Sequence, residues 1–232
     1  RRKLFKEVID NLGGNLEMII CGGAALDAKY EQGLYDLGIQ VINGYGTTEC
    51  SPIITCNRLS NYKVGSAGYA LECNDVMIKD PDDEGVGEVY AKGSNVMMGY
   101  YDEPEATAET FDGEWFKTGD YGYMDKDGFL FLRGRKKNLI VLSNGKNVSP
   151  EEIEDKLLTV DYIKEVVVYE ENGAITAEFF LDENEAPDAK DRLKKDVRAI
   201  NMQLPTYKQV TKTKIRDTEF PKTTTLKIKR KY

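Results

Sequence analysis

Residues 16–49, LEMIICGGAALDAKYEQGLYDLGIQVINGYGTTE, carry the clearest structural pattern in the first part of the chain. Two apolar runs, at 16–21 and 39–43, are each about as long as a buried strand. Between them, DAKYEQGLYDLG has helical spacing and stops at a glycine, as helices commonly do. A crossover of this length joins parallel strands, so the stretch predicts a β-α-β unit. Ligands of such sheets bind beyond the carboxyl ends of the strands, where CGGAAL and GYGTTE lie.

The GYGTTE turn, residues 44–49, combines groups that suit a nucleotide phosphate and its metal ion. Glycines let backbone N–H groups approach an anion closely. Thr47 and Thr48 add hydroxyl groups, and Glu49 supplies a hard oxygen of the kind that Mg2+ prefers. A glycine-rich turn after a strand is also common as plain geometry. This motif alone therefore leaves both interpretations open.

The sequence pattern changes after about residue 62. Short alternating runs broken by Gly and Asp, such as NDVMIKDPDDEGVGEVYAKG and YGYMDKDGFLFLRG, predict hairpins. The DKDG segment lacks the spacing of a calcium-binding loop, and we interpret it as a turn. A β-rich subdomain is therefore expected to follow the β-α-β unit.

A third pattern follows the segment LRGRKKNLI. Ser149 is expected to cap a helix that opens with Pro150, with Glu152 completing a Ser-x-x-Glu capping box. The run KEVVVYEENGAITAEFFL predicts a hairpin, DAKDRLKKDVRAINMQLP predicts a helix, and a basic, strand-like tail closes the chain. We predict an α/β part over 1–134, a boundary at 135–137 and a small α+β domain over 138–232.

Composition narrows the chemistry. The chain has 232 residues, four cysteines without a Cys-x-x-Cys pair, and no histidine. These features argue against zinc and exclude a histidine base or a Ser-His or Cys-His nucleophile within this chain. Carboxylates, lysines, arginines and backbone groups must carry any chemistry. The first residues lack the apolar centre of a secretory signal and no apolar run is long enough for a membrane span, so a cytoplasmic location is expected.

The charge is unevenly distributed. Residues 207–232 carry nine Lys or Arg against two acidic residues, within a chain whose net charge is -8. A basic tail could meet a polyanion such as a nucleotide or CoA, although a solvated lysine face is the commoner case. Nucleic acid is not expected as a partner, because the rest of the chain is acidic and its aromatic residues are not interleaved with basic ones.

Two further clusters carry groups for nucleotide chemistry. In WFKTGD, Asp120 could accept hydrogen bonds from sugar hydroxyls, as acidic residues do for ribose in dinucleotide folds. In LRGRKKN, Arg135 could supply a forked donor beside it. In PKTTTLKIKR, Lys227 stands among threonines near the end of the tail. Taken singly, each residue is equally consistent with a turn or a surface position.

Together, INGYGTTE, WFKTGD, GRKKNLIVLSNGKNVSPEEIE and PKTTTLKIK, in this order and at these separations, closely resemble the carboxyl-terminal part of the adenylate-forming enzymes. This superfamily contains acyl-CoA synthetases, luciferases and peptide-synthetase adenylation domains. The wording LSNGKNVSPEEIE is similar to the long-chain fatty acid ligase branch. The resemblance implies that 1–134 is the end of a large nucleotide-binding α/β domain with a β-rich subdomain, and that 138–232 is its small mobile α+β domain.

The resemblance also implies a role for each matching residue. ATP or AMP would be bound by Gly23, Ala24, Ala25, Gly44, Tyr45, Thr48, Asp120 and Arg135. Tyr45 would stack on the adenine, Asp120 and Arg135 would hold the ribose, and Thr48 would bind phosphate oxygens. Glu49 would bind Mg2+, and Lys227 would bridge the substrate carboxylate and the α-phosphate. Lys137 would be the hinge between the domains, and the segment around Gly145 would replace Lys227 for transfer to the thiol of CoA.

The implied reaction joins a fatty acid to CoA with release of pyrophosphate and AMP. The family's upstream phosphate loop and acyl pocket are missing, so the chain is expected to start within a longer protein and to be inactive alone. Leu226 occupies a position where the family usually has Gly. The lipid substrate would bring peripheral membrane contact, and the oligomeric state is open. Two alternatives also remain open: a carrier-protein thiol as acceptor, and a non-catalytic module that keeps the fold.

Overall fold

A computed structural model describes residues 4–24, 26–143, 145–182, 186–224 and 228–230. The chain divides into two compact units, Arg1–Lys136 and Lys137–Tyr232. A hydrophobic core of buried side chains lies in each unit. None of the helices within the described residues has the length and apolar character needed to cross a membrane.

The first unit opens with helix α1 (Lys6–Asn11) and a four-stranded sheet, whose strands in order are β1 (Met18–Cys21), β2 (Gln40–Tyr45), β3 (Thr55–Cys56) and β4 (Tyr69–Ala70). Strands β1 and β2 are parallel and are joined by helix α2 (Ala28–Leu37), as the sequence predicts. Asp27 caps the amino end of α2, because its side chain accepts a hydrogen bond from the Lys29 N–H. The helix ends at Gly38, where a left-handed φ of 86° suits glycine.

Strand β1 forms one edge of this sheet. Among the described residues it pairs with β2 and with no other strand. Ile20 on β1 is 70% exposed and Met18 is 39% exposed. An apolar strand therefore presents a free edge to solvent in this chain.

The rest of the first unit is an antiparallel sheet with helix α3 (Pro104–Thr110). Its strands are β5 (Asn74–Lys79), β6 (Gly87–Gly93), β7 (Phe111–Asp112), β8 (Trp115–Met124) and β9 (Leu130–Arg135). The order is β5-β6-β8-β7, and β9 also pairs with β8. The predicted hairpins β5–β6 and β8–β9 are confirmed. The predicted DKDG turn is confirmed as well, because the Asp125 carboxylate accepts hydrogen bonds from the N–H groups of Asp127 and Phe129.

The second unit is a small α+β layer structure. Its elements are β10 (Ile140–Val141), β11 (Asn147–Val148), α4 (Pro150–Leu157), β12 (Ile163–Glu171), β13 (Ala174–Leu181), α5 (Ala189–Asn201) and β14 (Lys212–Arg216). Strands β12 and β13 form the predicted hairpin, which turns at Asn172 and Gly173, both with positive φ. The basic strand β14 pairs in parallel with β13. Helices α4 and α5 bury Ile153, Leu157, Leu193 and Val197 in the core.

The predicted capping box at the start of α4 is only partly formed. Ser149 caps the helix through a long hydrogen bond of 3.5 Å from the Glu152 N–H, and Pro150 takes the first helical position. The Glu152 carboxylate, however, forms an ion pair of 2.9 Å with Lys208. A partly buried cation offers the carboxylate a charge-assisted partner, which a capping box does not.

Candidate functional site

Three side chains that the sequence suggested separately come together in the first unit. The Tyr45 hydroxyl at the end of β2 donates a hydrogen bond of 2.7 Å to Asp120 Oδ2 on β8. Arg135 Nε at the end of β9 lies 3.1 Å from Asp120 Oδ1. A second guanidinium nitrogen, Nη1, donates to the Thr118 carbonyl at 3.2 Å. Asp120 is thus fixed by a phenol on one oxygen and a guanidinium on the other.

A bulge in β8 sets the position of Asp120. The pairs Glu88–Tyr121 and Tyr90–Lys117 are two residues apart on β6 but four apart on β8, so β8 carries two extra residues. Gly119, within this bulge, has a φ of +69°, which disfavours any residue with a side chain. Bulges of this kind redirect side chains next to functional sites. The glycine of the TGD motif is therefore explained by the turn of the backbone that Asp120 needs.

Burial and charge keep Tyr45 protonated. Tyr45 is 9% exposed. Burial first, and then the negative charge of Asp120, raises the pKa of the Tyr45 hydroxyl well above its usual range. The hydroxyl therefore stays a donor to the carboxylate. A stacked adenine would reach only the small exposed part of this side chain.

Glu49 lies in a short 3-10 helix, Thr48–Cys50, directly after the turn. Its Oε1 accepts a hydrogen bond of 2.9 Å from the Tyr100 hydroxyl. Burial opposes ionisation, but hydrogen bonds from the backbone and Tyr100, together with the nearby Thr47 hydroxyl and the charge of Arg135, lower the pKa of the Glu49 carboxyl. The carboxylate is consequently ionised near neutral pH.

The two threonines of the turn have different surroundings. Thr48 is exposed. The buried Thr47 hydroxyl lies near Glu49, yet no group among the described residues meets it at hydrogen-bond distance. One carboxylate and a hydroxyl without such a partner suit Mg2+, which commonly takes one or two carboxylates together with water and substrate phosphates. No group of three or more Cys, Asp or Glu in the described part of the chain forms a metal cage.

The glycines of the turn serve packing rather than a left-handed backbone. Neither Gly44 nor Gly46 has a positive φ. A Cβ on Gly46 would stand 1.8 Å from the Pro52 carbonyl oxygen, so the following loop occupies that space. Gly44, in β2, has the Thr55 carbonyl 3.6 Å from its Cβ position. These two glycines therefore lack the left-handed backbone of an anion-binding nest, the arrangement in which successive N–H groups of the turn would surround an anion.

The other predicted site residues lie elsewhere or outside the described residues. Gly23, with a φ of +79°, and Ala24 are exposed after β1, while Ala25 lies outside the described residues. Lys137 is exposed in the turn Lys136–Asn138. Gly145 is exposed between β10 and β11, and its Cβ position faces open space. Lys227 also lies outside the described residues.

Two members of the candidate site, Tyr100 and Thr118, were not predicted from the sequence. Tyr100 holds Glu49 from a loop 51 positions later in the chain. The Thr118 hydroxyl donates to the Val89 carbonyl at 2.7 Å and accepts from the Asp120 N–H at 3.1 Å, which secures the bulge. Thr118 belongs to the TGD motif and could have been chosen with Asp120. No local pattern points to the pairing of Tyr100 with Glu49.

Models of one enzyme family match both units. The model described as AMP-binding enzyme matches residues 2–101, and the model described as AMP-binding enzyme C-terminal domain matches residues 137–232. The chain belongs to the adenylate-forming, AMP-binding enzymes. The resemblance drawn from the four sequence motifs is thereby confirmed, as is the mixed α/β fold class.

Related members of the AMP-binding family act on different acids. The chain is 36% identical over 167 residues to the long-chain-fatty-acid–CoA ligase FadD15 of Mycobacterium bovis, covering 72% of this chain and 27% of that protein. It is 36% identical over 192 residues to the 2-succinylbenzoate–CoA ligase of Bacillus pumilus, covering 78% of this chain and 39% of that one. This chain therefore spans between a quarter and two fifths of these relatives.

A solved member of the family shares the fold. The o-succinylbenzoate–CoA synthetase of Bacillus subtilis, in complex with its acyl-adenylate intermediate, matches with a TM-score of 0.80 and 27% identity. The match covers 96% of this chain and 48% of that protein. The same synthetase has been solved with ATP and a magnesium ion. Nearly the whole of this chain thus shares the fold of about half of that synthetase.

Proposed function

We propose that this chain is the carboxyl-terminal part of an ATP-dependent acyl-CoA ligase that adenylates a fatty acid and passes the acyl group to CoA. The observation that carries the proposal is the cluster of Tyr45, Asp120 and Arg135 beside the ionised Glu49. Membership of the family supports an acid-thiol ligase. The fatty acid is supported by the name of the mycobacterial relative.

In the proposed site, Asp120 accepts hydrogen bonds from the two ribose hydroxyls. Tyr45 and Arg135 occupy defined oxygens of the Asp120 carboxylate, so that carboxylate is oriented before the nucleotide arrives. Such preorganisation reduces the cost of ordering the site during binding. We propose Gly23, Ala24 and Gly44 as neighbours of the base and Thr48 as a ligand of phosphate oxygens.

Charge balance dominates the first half-reaction. A carboxylate must approach the α-phosphorus of ATP while negative charge builds there, and these two anions repel each other. Mg2+, when bound at Glu49, supplies positive charge that offsets this repulsion. Lys227 supplies an ammonium between the acid and the α-phosphate. Because the Glu49 carboxyl is already ionised, it can bind Mg2+ without first losing a proton.

The second half-reaction needs a thiol in place of the lysine. We propose that the hairpin around Gly145 then faces the acyl adenylate and that Lys137 is the hinge of this change. The open space at the Gly145 Cβ position is consistent with the close approach of a ligand. CoA is the proposed acceptor, and a carrier-protein thiol remains the alternative. A cytoplasmic location stays a prediction.

An aryl acid is a second candidate substrate, because the Bacillus pumilus relative is equally similar and matches a longer stretch. The complete reading frame that contains this chain should be expressed and assayed for pyrophosphate exchange into ATP with palmitate and with succinylbenzoate. Exchange with palmitate supports the fatty acid. Exchange with succinylbenzoate alone would replace the fatty acid by an aryl acid as the proposed substrate. Exchange with neither acid, in a properly folded protein, contradicts adenylation of these acids.

Asp120→Asn provides the matched test of the site. It keeps the shape of the side chain and removes the charge that Tyr45 and Arg135 flank. The KM for ATP should rise about tenfold or more, as expected when a charge-assisted hydrogen bond is lost. Asp75→Asn, on a different strand of the same sheet, is the control and should leave the KM unchanged. An unchanged KM in Asp120→Asn would remove Asp120 from the nucleotide site.

A further inference from the structure

Helix α4 carries an acidic run, Glu151, Glu152 and Glu154, that packs against other charged groups instead of facing water. Glu154 is 6% exposed. The Glu152 side chain is 18% exposed. Burying a carboxylate costs free energy unless a cation or a hydrogen-bond donor pairs with it, so the partners of these side chains matter for the fold.

Glu154 holds the end of the tail. Its Oε1 accepts a hydrogen bond of 2.6 Å from the Val168 N–H on β12, and its Oε2 accepts one from Arg230. The Arg230 side chain is only 17% exposed and also lies 3.6 Å from Glu151. This buried pair therefore fixes the chain at residue 230.

A second carboxylate holds the start of the same segment. Glu165 on β12 accepts a hydrogen bond of 2.7 Å from the Phe220 N–H and forms an ion pair with Lys222. The two described arms of the segment are also joined to each other. Lys222 and Ile228 form an isolated antiparallel β-bridge, and the Lys229 N–H donates a hydrogen bond of 2.7 Å to the Pro221 carbonyl. The described parts of the tail on either side of 225–227 are thus each held by a carboxylate, and Lys227 lies between them in the sequence.

Glu152 fastens a different loop. Its ion pair with Lys208, which is 9% exposed, holds the short turn Thr206–Lys208 against the start of α4. Tyr207 in that turn lies beneath the Lys146 ammonium, with 4.2 Å between the nitrogen and the ring centre.

Lys146 belongs to the hairpin that contains Gly145. The hairpin is closed by hydrogen bonds from the Leu142 N–H to the Lys146 carbonyl at 2.9 Å and from the Gly145 N–H to the Leu142 carbonyl at 2.8 Å. Glu152 is therefore connected to the Gly145 hairpin by successive contacts through Lys208, Tyr207 and Lys146.

The two carboxylates point away from each other. Residues two positions apart on a helix are separated by about 200° around its axis. We propose that α4 carries two positioning residues with separate duties: Glu154 holds the lysine-bearing tail for adenylation, and Glu152 holds the Gly145 hairpin for thiol transfer. This inference rests on the proposed function for the identities of the two steps, but the anchoring itself does not depend on it.

Hydrogen exchange on the chain itself tests the anchoring. At pH 8, where the natural Glu154 carboxyl is ionised, Glu154→Gln should accelerate exchange in 220–230 about tenfold or more through loss of a charge-assisted hydrogen bond, while exchange in 142–148 stays unchanged. In Glu152→Gln, hydrogen exchange in 142–148 should accelerate, while exchange in 220–230 stays unchanged. Arg230→Ala and Lys208→Ala test the same pairs from the loop side, should a helix variant fail to fold. Asp188→Asn, which loses an exposed pair with Arg192, is the control for both.

Equal acceleration of both segments in either variant, or of neither, overturns the separate anchoring. The complete enzyme tests the duties. Glu154→Gln should slow ATP–pyrophosphate exchange about tenfold or more while sparing thioester formation from pre-made acyl adenylate, and Glu152→Gln should do the reverse. If hydrogen exchange follows the expected pattern but the two variants do not slow different half-reactions, the roles given to Lys227 and Gly145 are contradicted. A failed exchange pattern contradicts the anchors themselves.

Discussion

At the level of single residues, carboxylates that are buried or half-buried and paired organise both units. Asp120 is fixed by Tyr45 and Arg135 in the first unit, and Glu154 is fixed by Arg230 and the Val168 N–H in the second. Burial raises the pKa of Glu154 to about 7, although the charge of Arg230 acts in the opposite direction.

The raised pKa of Glu154 predicts a particular dependence of stability on pH. The folded state binds the proton more tightly than the unfolded state, whose carboxyl has the ordinary value near 4.5. Stability from this group is therefore present below about pH 4.5 and is lost as the pH rises through about 7, by as much as about 3 kcal/mol.

Protection factors of the β12 amides, measured from pH 5 to pH 8, check this expectation. They should fall more steeply in the natural chain than in Glu154→Gln, which cannot titrate. The groups that face this carboxyl are Arg230 and Glu151. Parallel curves for the two proteins would show that Glu154 does not titrate in this range.

The proposed ammonium of Lys227 gives a second prediction at this scale. In the complete enzyme, Lys227→Ala should lower adenylate formation by about 10²-fold to 10³-fold, the usual cost of removing a preorganised group that stabilises transition-state charge. Thioester formation from supplied acyl adenylate should survive. Lys229→Ala is the neighbouring control. Equal slowing of both steps would show that Lys227 has another role.

At the scale of elements, glycines that face backbone differ from glycines that face solvent. Gly46→Ala would force a Cβ to within 1.8 Å of the Pro52 carbonyl, so it should destabilise the first unit by at least about 2 kcal/mol. Gly33→Ala, inside α2 with open space around its Cβ position, should stabilise that helix by up to about 1 kcal/mol. Urea denaturation followed by Trp115 fluorescence measures both. Equal effects would refute the packing argument.

Elements with a clear period or stop signal were predictable from the sequence. Helix α2 ends at Gly38 and the β12–β13 hairpin turns at Asn172 and Gly173, because these signals are local. Pairings between distant residues were not predictable: Tyr45 meets Asp120 across 75 positions. Glu152 satisfies a capping pattern but forms an ion pair with Lys208, which is 56 positions away. The sequence thus identified candidate side chains, and only the fold could show which of them touch.

At the scale of the whole molecule, the division at Lys136 and Lys137 predicts how the chain is cut by proteases. Separate compact units leave the connecting segment as the most accessible site. Limited proteolysis should cut within 134–147 and release a stable carboxyl-terminal piece of about 10 kDa. First cuts inside β12 or α5 would contradict this boundary.

The chain alone is also expected not to make acyl-CoA. It spans between a quarter and two fifths of the related ligases, and the phosphate loop and acyl pocket that the family resemblance implies are expected in the remainder. Without both the loop and an acyl pocket, the reactants are not positioned. Incubation with ATP, Mg2+, palmitate and CoA should release no AMP above a control without protein. Turnover in this assay would show that the missing parts are dispensable.

The free edge of β1 has a practical consequence for handling the purified chain. Among the described residues, the β1 N–H and C=O groups on the side away from β2 have no partner strand, and with the exposed Ile20 they form a template on which another strand can add. The net charge of -8 opposes such assembly by repulsion, and salt screens that repulsion. Light scattering should therefore detect self-association that grows with protein concentration and ionic strength. Ile20→Lys should suppress it by placing a charge on the edge.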